Sequence, residues 1–206
     1  MHWPRSLRLC GAAALLVLSA KAQVIEFESG GLKYQTLTKA GVTVMFAHLP
    51  ANVRDYSIMQ VAISNGTEMV QSVRPEDFVF QRGEDSGIRA TPAGAVVEDF
   101  LAKAGRNDVV KLVTAYEACL YGMERFHSPN GYEQRRQAAL AEVSSAKLKA
   151  AAAASAIVLV SVRLRPGQST DGAVFFRANS KALGAGRLRA TVGQNVFEFR
   201  VEGSTP

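Results

Sequence analysis

Cysteine and histidine are scarce in this sequence: its 206 residues include two cysteines and three histidines. Two cysteines are too few for a disulfide scaffold. The paired Cys-x-x-Cys and His-x-x-x-His spacings of zinc sites do not occur. The Gly-x-Ser-x-Gly motif of serine hydrolases is missing as well. We therefore expect no metal and no cofactor, and we find no local catalytic signature.

Long apolar runs and an excess of charge are also missing. Hydrophobic residues make up 48% of the chain and charged residues 20%, which is typical of a globular protein and excludes a charge-rich disordered chain. The apolar stretch Ala150–Val162 is shorter than the ~20 residues that a membrane-spanning helix needs. The mature chain is therefore predicted to have no transmembrane segment.

Residues 1–22 have the three parts of an export signal. Two arginines give a positive start, and Gly11–Leu18 is an apolar stretch. Ala20 and Ala22 then occupy the two small positions that a signal peptidase reads. We predict cleavage after Ala22 and a secreted or periplasmic mature protein of residues 23–206.

Removal of this leader changes the charge of the chain. It holds three of the 24 Lys and Arg residues and none of the 18 Asp and Glu residues, so 21 bases remain against 18 acids, a net charge of +3. So small an excess gives no reason to expect nucleic acid as a partner. One cysteine remains, Cys119, so no intrachain disulfide can form. Stability must then come from packing of the core, and a chain of this length buries ~70% of its unfolded-state surface.

Alternation of apolar and polar residues predicts strands in the first part of the mature chain. The apolar residues that share a face are Val42, Val44 and Phe46 in one run and Met59, Val61 and Ile63 in the next. Asn65–Gly66 is a turn signal, after which Met69–Val73 is expected to pair back as a hairpin. Phe78 and Phe80 alternate with their neighbours, and a short strand, Ile88–Ala90, is predicted after a polar turn.

Strand patterns return near the end of the chain. Ala156–Leu164 is apolar on both faces, which predicts a strand covered on both sides. A later strand, opening at Gly172, places Val174 and Phe176 inward. The last predicted strand is Asn195–Val201, in which alternate residues are apolar.

Between these regions the apolar period changes from two to 3.6, which indicates helices. Thr91–Pro92 predicts a helix start, with a capping hydroxyl before a proline at the first helical position. Gly105 is expected to end that helix in a left-handed cap. Asn107 predicts the start of a second helix, which ends at Gly122. A third helix is predicted over about 132–154.

The order of these elements predicts a mainly β chain, an immunoglobulin-like antiparallel β-sandwich interrupted by about three helices. The helical insertion covers about 91–155. Because no linker rich in Pro, Gly or Ser divides the chain, we expect a single domain over 23–206. One sheet of the sandwich is expected to cover one side of the doubly apolar strand, and the helices the other.

Five segments resemble small secreted bacterial immunoglobulin-like domain proteins, a group that includes mycobacterial secreted antigen-like sandwiches. These segments are Gly41–Val44, Val61–Asn65, Arg74–Phe78, Leu164–Gly167 and Gly172–Phe176. The match extends over about half of the mature chain, and the helices depart from the family pattern. The resemblance implies an exported, non-enzymatic binding or assembly module, and it carries over no catalytic residue.

Several short patterns admit a chemical interpretation, but a structural one is preferred for each. Ser144–Lys147 has the Ser-x-x-Lys spacing of penicillin-interacting enzymes, yet it is predicted mid-helix and lacks the companion motifs. Glu84–Asp85 is a solvated hairpin tip rather than a calcium ligand. Asn65–Thr67 matches a glycosylation acceptor, but an ordinary turn accounts for it. Cys119 is expected to be a small buried apolar residue.

The predicted connection Met123–Arg136 is the candidate contact surface. Its candidate binding residues are Phe126, His127, Tyr132, Arg135 and Arg136. Aromatic side chains and arginine are enriched in binding hot spots. The alternative is that the aromatics dock this loop onto the sandwich while the arginines are solvated.

Three functional hypotheses follow from these patterns. The first is an exported, non-enzymatic module of the bacterial cell envelope that contacts protein or envelope material. The second is an envelope hydrolase whose site assembles from distant residues, with His127, a carboxylate and a serine converging in a pocket. The third is a structural subunit that self-associates through its helical insertion.

Overall fold

The computed structural model describes residues 23–83, 87–122, 145–179 and 183–202. The predicted leader lies outside these residues.

Five antiparallel strands form the larger sheet. They are β1 (Ile25–Ser29), β2 (Leu32–Lys39), β3 (Val42–Val53), β4 (Tyr56–Asn65) and β9 (Ser169–Arg177), and they lie side by side in that order. The first four form a meander because each is joined to the next by a tight turn. The late strand β9 then pairs with β4 along its whole length, from Tyr56 opposite Arg177 to Ser64 opposite Ser169.

A smaller sheet of four strands faces the first. It consists of β6 (Phe78–Gln81), β7 (Ile88–Arg89), β10 (Gly186–Val192) and β11 (Asn195–Val201), in the order β11-β10-β6-β7. The hairpin predicted across the polar turn is confirmed, with Phe80 opposite Ile88, and the last strand has the predicted bounds. Alternation explains both, because the phenylalanines of β6 and β11 point into the core while their neighbours point out.

A third, two-stranded sheet corrects one expectation. The segment after Asn65 does not pair back on β4; instead β5 (Gln71–Val73) pairs with β8 (Val162–Leu164). The reason lies in the Asn65 side chain, which is fully buried. Its Nδ2 donates to the carbonyls of Met69 and Leu164 at 2.8 and 3.0 Å, and so it ties the turn to β8.

Three described helices follow β7 and precede β8, where the sequence predicts the insertion. They are α1 (Ala93–Lys103), α2 (Arg106–Gly122) and α3 (Ala146–Ile157). None of these helices has the length and apolarity required to cross a membrane. A single 3-10 turn, Pro75–Asp77, leads into β6.

The helices form a layer on the outer face of the five-stranded sheet, so two cores share that sheet. Between the sheets lie Val44, Val61, Phe176 and the inward phenylalanines of the smaller sheet. On the other side, Tyr56, Ile58 and Phe175 pack against Phe100 of α1 and the alanines of α3. A mainly β sandwich with inserted helices is therefore confirmed. Alanine suits α3 because its short side chain lets a helix approach the sheet closely.

The doubly covered strand is not the one that the sequence predicts. Almost every residue of β4 is buried, so both faces of this strand are covered. The predicted strand begins differently, because Ala156 and Ile157 still belong to α3. From Val158 onward the chain runs along the edge of β9, where the Leu159 amide donates to the Ala173 carbonyl at 2.8 Å. The apolar run is thus a helix end, an edge segment and a short strand in succession.

The helix boundaries also differ from the prediction near Gly105. Pro92 rather than Thr91 occupies the N-cap of α1, and Ala104, which is extended, ends the helix. Gly105 instead precedes α2 as its capping residue, because its amide donates to Oδ2 of Asp108 at 2.8 Å. This is half of a capping box, and it leaves Asn107 inside α2.

An immunoglobulin-like strand order is not confirmed. In immunoglobulin domains the chain passes to the opposite sheet after its second strand. Here four successive strands stay in one sheet.

Candidate functional site

The structure describes none of the residues of the predicted contact surface. Phe126, His127, Tyr132, Arg135 and Arg136 all lie between α2 and α3, outside the described residues. Their assignment as a contact surface stays a prediction. The described part of the chain offers a different candidate, which no motif in the sequence marks.

This candidate is a cleft of about 570 Å³ at the open edge between the two sheets. Its walls are the β1–β2 hairpin, the middle of β3 and the end of β11. The hairpin is tight because Gly30 and Gly31 have positive φ angles of 59° and 75°. Such angles are accessible to glycine and are those of a two-residue turn that follows the twist of the strands.

Strand alternation places a row of polar groups on the cleft side of the hairpin. Glu26 lies opposite Gln35, and Glu28 lies opposite Lys33. Because side chains on a strand alternate between faces, these four share one face. The Lys33 ammonium is 3.9 Å from the Glu202 carboxylate, and both side chains are largely exposed, so this ion pair contributes little to stability.

Gln35 joins the two walls of the cleft. Its Nε2 donates to Oε1 of Glu26 and to the backbone carbonyl of Arg200, each at 2.8 Å. The Arg200 carbonyl belongs to β11, so this one amide links the two sheets at their open edge. The Oε1 of Gln35 is buried and accepts no hydrogen bond from a described residue.

An aromatic pair lies on the opposite face of the same hairpin. Phe27 stacks on Tyr34 with ring centroids 5.1 Å apart and an interplanar angle of 9°. Tyr34 is buried, while Phe27 is 41% exposed. Exposed aromatic surface on a fixed strand favours contact with a partner, since its position is set before binding.

His48 lies deeper in the cleft and contacts a serine. Burial lowers the pKa of His48 below its ordinary value, so its imidazole is mostly neutral at pH 7. The Nε2 is 3.4 Å from Oγ of Ser57. Ser57 is fully buried, and no described carboxylate forms an ion pair with His48. The pair therefore lacks both the exposed nucleophile and the orienting carboxylate of a serine hydrolase.

A second polar cluster joins helix α1 to the sheet. Tyr56 donates to Oδ2 of Asp99 at 2.6 Å, and Arg177 donates to the Tyr56 hydroxyl at 2.8 Å and to Asp99. Burial and the bond to Asp99 raise the pKa of Tyr56. The bond from Tyr56 and the Arg177 guanidinium lower the pKa of Asp99. Since Tyr56 is 2% exposed and packs on Phe100 and Phe175, the cluster stabilises the fold.

Among residues 23–83, 87–122, 145–179 and 183–202, no group of three or more His, Cys, Asp or Glu residues is arranged to hold a metal ion.

Asn65 of the glycosylation pattern is fully buried. Its Oδ1 accepts from the Thr67 amide and hydroxyl at 3.0 and 2.7 Å. The preferred interpretation as a turn is therefore confirmed.

Comparison with known proteins adds little. No protein-family model matches the chain, and no curated protein matches it. Among solved structures, the crystal structure of the yjhA protein from Bacillus subtilis matches with a TM-score of 0.31 and 11% sequence identity, over 81% of this chain and 76% of that chain. A likeness this weak carries no argument, so the proposals below rest on the residues of this chain.

Proposed function

We propose that the protein is an exported, non-enzymatic binding or assembly module of the bacterial cell envelope that contacts protein or envelope material. The export signal pattern in residues 1–22 supports a secreted or periplasmic location. The observation that carries the binding function is the tight hairpin beside the cleft, which holds the charged Lys33 side chain on the cleft side and the exposed Phe27 ring on its other face. Such preorganised groups lower the entropy cost of binding.

Affinity capture from the native envelope, followed by mass spectrometry, tests this proposal. The bait is protein purified from cells that express the full chain. The double variant Phe27→Ala/Lys33→Ala is expected to lose the captured material, because the hairpin exposes both side chains to a partner. The matched control is Lys147→Ala/Leu148→Ala, since these residues are an exposed lysine and a 49% exposed leucine on α3. Equal loss in both variants, or no capture by the wild type, would contradict the proposal.

The same capture experiment also tests the predicted loop surface. Alanine at Phe126, Tyr132 and Arg135 should weaken capture without lowering the melting temperature if that surface takes part. If capture is unchanged, the loop is no part of the binding surface. The result for the Phe27→Ala/Lys33→Ala variant decides the proposal in either case.

An envelope hydrolase is the second candidate, and the contact of His48 with Ser57 is the observation that favours it. The full burial of Ser57 opposes it, because a nucleophile must reach its substrate. In the non-enzymatic proposal, Ser57→Ala leaves capture unchanged and no hydrolysis of envelope material is detected with the wild type. Hydrolysis that Ser57→Ala and His48→Ala both abolish would establish the enzyme instead.

A further inference from the structure

We propose that strand β1 is a docking edge that takes an extended segment of a partner protein as an added antiparallel strand, with basic residues opposite Glu26 and Glu28. The inference rests on the proposed binding function and names its partner class. An exposed edge strand presents a row of backbone donors and acceptors to another chain, and added strands are a common mode of peptide recognition.

The other edges of the two sheets are covered or short. Along β9, the carbonyls of Ala173 and Phe175 accept from the amides of Leu159 and Thr91, each at 2.8 Å. Along β11, Gln35 donates to the Arg200 carbonyl. The remaining edge strand, β7, is two residues long. Short or covered edges are the usual protection against unwanted pairing.

The β1 edge has none of this protection in the described part of the chain. It is five residues long and almost wholly exposed, and its hydrogen bonds to described residues go to β2 and to the Gln35 side chain. Both of its apolar side chains are open to solvent, Ile25 at 61% and Phe27 at 41%. Exposed edges that carry apolar side chains pair readily with another strand.

The charges of β1 indicate which strand can pair. Glu26 and Glu28 alternate with Ile25 and Phe27, and so they share one face. No described base forms an ion pair with either carboxylate. Lys33, which lies opposite Glu28, is paired with Glu202. Opposite charges directly across two strands stabilise the pair, and like charges destabilise it. The complementary segment therefore alternates apolar and basic residues.

A second copy of this chain is a poor occupant. Two copies of β1 can form a symmetric antiparallel pair in which corresponding side chains point to the same face of the joined sheet. The two-fold axis of such a pair can pass next to Glu26, Phe27 or Glu28. The first and third registers place a glutamate opposite itself, and the second places Glu26 opposite Glu28. Since each of these three central registers sets like charges against each other, β1 is protected against self-pairing along its length but open to a basic strand.

Two synthetic peptides test the inference by fluorescence anisotropy. One alternates lysine and valine, and the other has the same sequence with the amides of one edge N-methylated. The wild-type protein should bind the first peptide about tenfold or more tightly than the second, because N-methylation removes backbone donors but no charge. Equal affinity for the two peptides would mean charge attraction alone and would overturn the inference.

Protein variants supply the second arm of the test. Glu26→Lys/Glu28→Lys should weaken binding of the lysine–valine peptide about tenfold and gain affinity for a glutamate–valine peptide. The matched control, Glu68→Lys/Glu198→Lys, changes the net charge equally at two exposed sites and should stay within about twofold of the wild type. Equal weakening in both double variants would overturn the inference.

Light scattering and envelope capture separate the remaining outcomes. A monomer is expected, and a dimer that the lysine–valine peptide dissociates would assign the edge to a second copy instead. If the wild type captures envelope material that Glu26→Lys/Glu28→Lys still captures, the docking edge is wrong while the binding function stands. If the wild type captures nothing, the proposed function fails, and the peptide result still decides the edge.

Discussion

The hydroxyl of Tyr56 donates a 2.6 Å hydrogen bond to the carboxylate of Asp99. Tyr56 is the first residue of β4, and Asp99 lies in α1, so this bond ties the helical layer to the fourth strand of the five-stranded sheet. Arg177 of β9 completes the contact, with its guanidinium carbon 5.1 Å from the centre of the Tyr56 ring. The attachment of the helices therefore depends on polar contacts as well as on apolar packing.

Removal of this contact should lower the free energy of unfolding. We expect Tyr56→Phe to cost about 1–2 kcal/mol and Asp99→Asn about 1.5–3 kcal/mol, because hydrogen bonds to charged groups contribute more than neutral ones. Lys103→Gln is the control, since its ammonium is 4.0 Å from Asp99 and more than half exposed, and it should cost no more than about 0.5 kcal/mol. Urea unfolding measures all three, and equal effects would contradict the assignment.

The same cluster predicts a dependence of stability on pH. Because the pKa of Asp99 is lowered in the folded state, the unfolded chain binds this proton more tightly. The stabilisation is complete above the unfolded pKa of about 3.9 and is lost as the pH falls through the folded value. The advantage of the wild type over Asp99→Asn should therefore shrink below about pH 4. A difference in unfolding free energy that stays constant from neutral to acid pH would contradict this.

Asn65 should be one of the most sensitive polar positions. Its buried amide group makes four hydrogen bonds, to Met69, Leu164 and twice to Thr67. Asn65→Ala leaves these partners unsatisfied and should cost about 2–4 kcal/mol. The exposed neighbour Glu68 is the control, and Glu68→Ala should be nearly neutral. Thermal and urea unfolding compare the two, and similar melting temperatures would show that the turn does not depend on this amide.

Two glycines should respond in opposite directions to alanine. A Cβ on Gly172 would lie 2.6 Å from the Cα of Leu159, so Gly172→Ala forces the edge segment away from β9 and should cost about 1–3 kcal/mol. A Cβ on Gly94 meets no atom within 4 Å. Because Gly94 lies in α1, Gly94→Ala should stabilise the protein by about 0.5–1 kcal/mol. Changes of the same sign in calorimetry would contradict the close approach of the edge segment.

Local patterns predicted much of the strand content correctly. Val44, Val61, Phe80 and Phe199 all face the core between the sheets, as alternation requires. The pattern was wrong where the chain changes structure inside an apolar run, as it does at Ile157, because a buried helix end and a buried strand have the same composition. It was wrong again at Gly105, because a glycine between two helices can end one or begin the next.

The contacts of the candidate site are only partly predictable from local sequence patterns. Glu26 and Gln35 are close in sequence, and their pairing could have been inferred from the Gly30–Gly31 turn. The bond of Gln35 to the Arg200 carbonyl joins residues 165 positions apart, and no local signal marks it. The predicted surface at Phe126 and Tyr132 stays a prediction, since it lies outside the described residues.

The sequence by itself determined which faces of the strands are apolar and where the helical insertion falls, because both depend on periods of two and 3.6 residues along the chain. Only the tertiary structure decided that β4 is covered on both sides, that β5 pairs with β8, and that β1 is left as an open edge. These relationships join segments far apart in sequence, and the packing of whole layers selects them among many pairings that the local pattern allows equally.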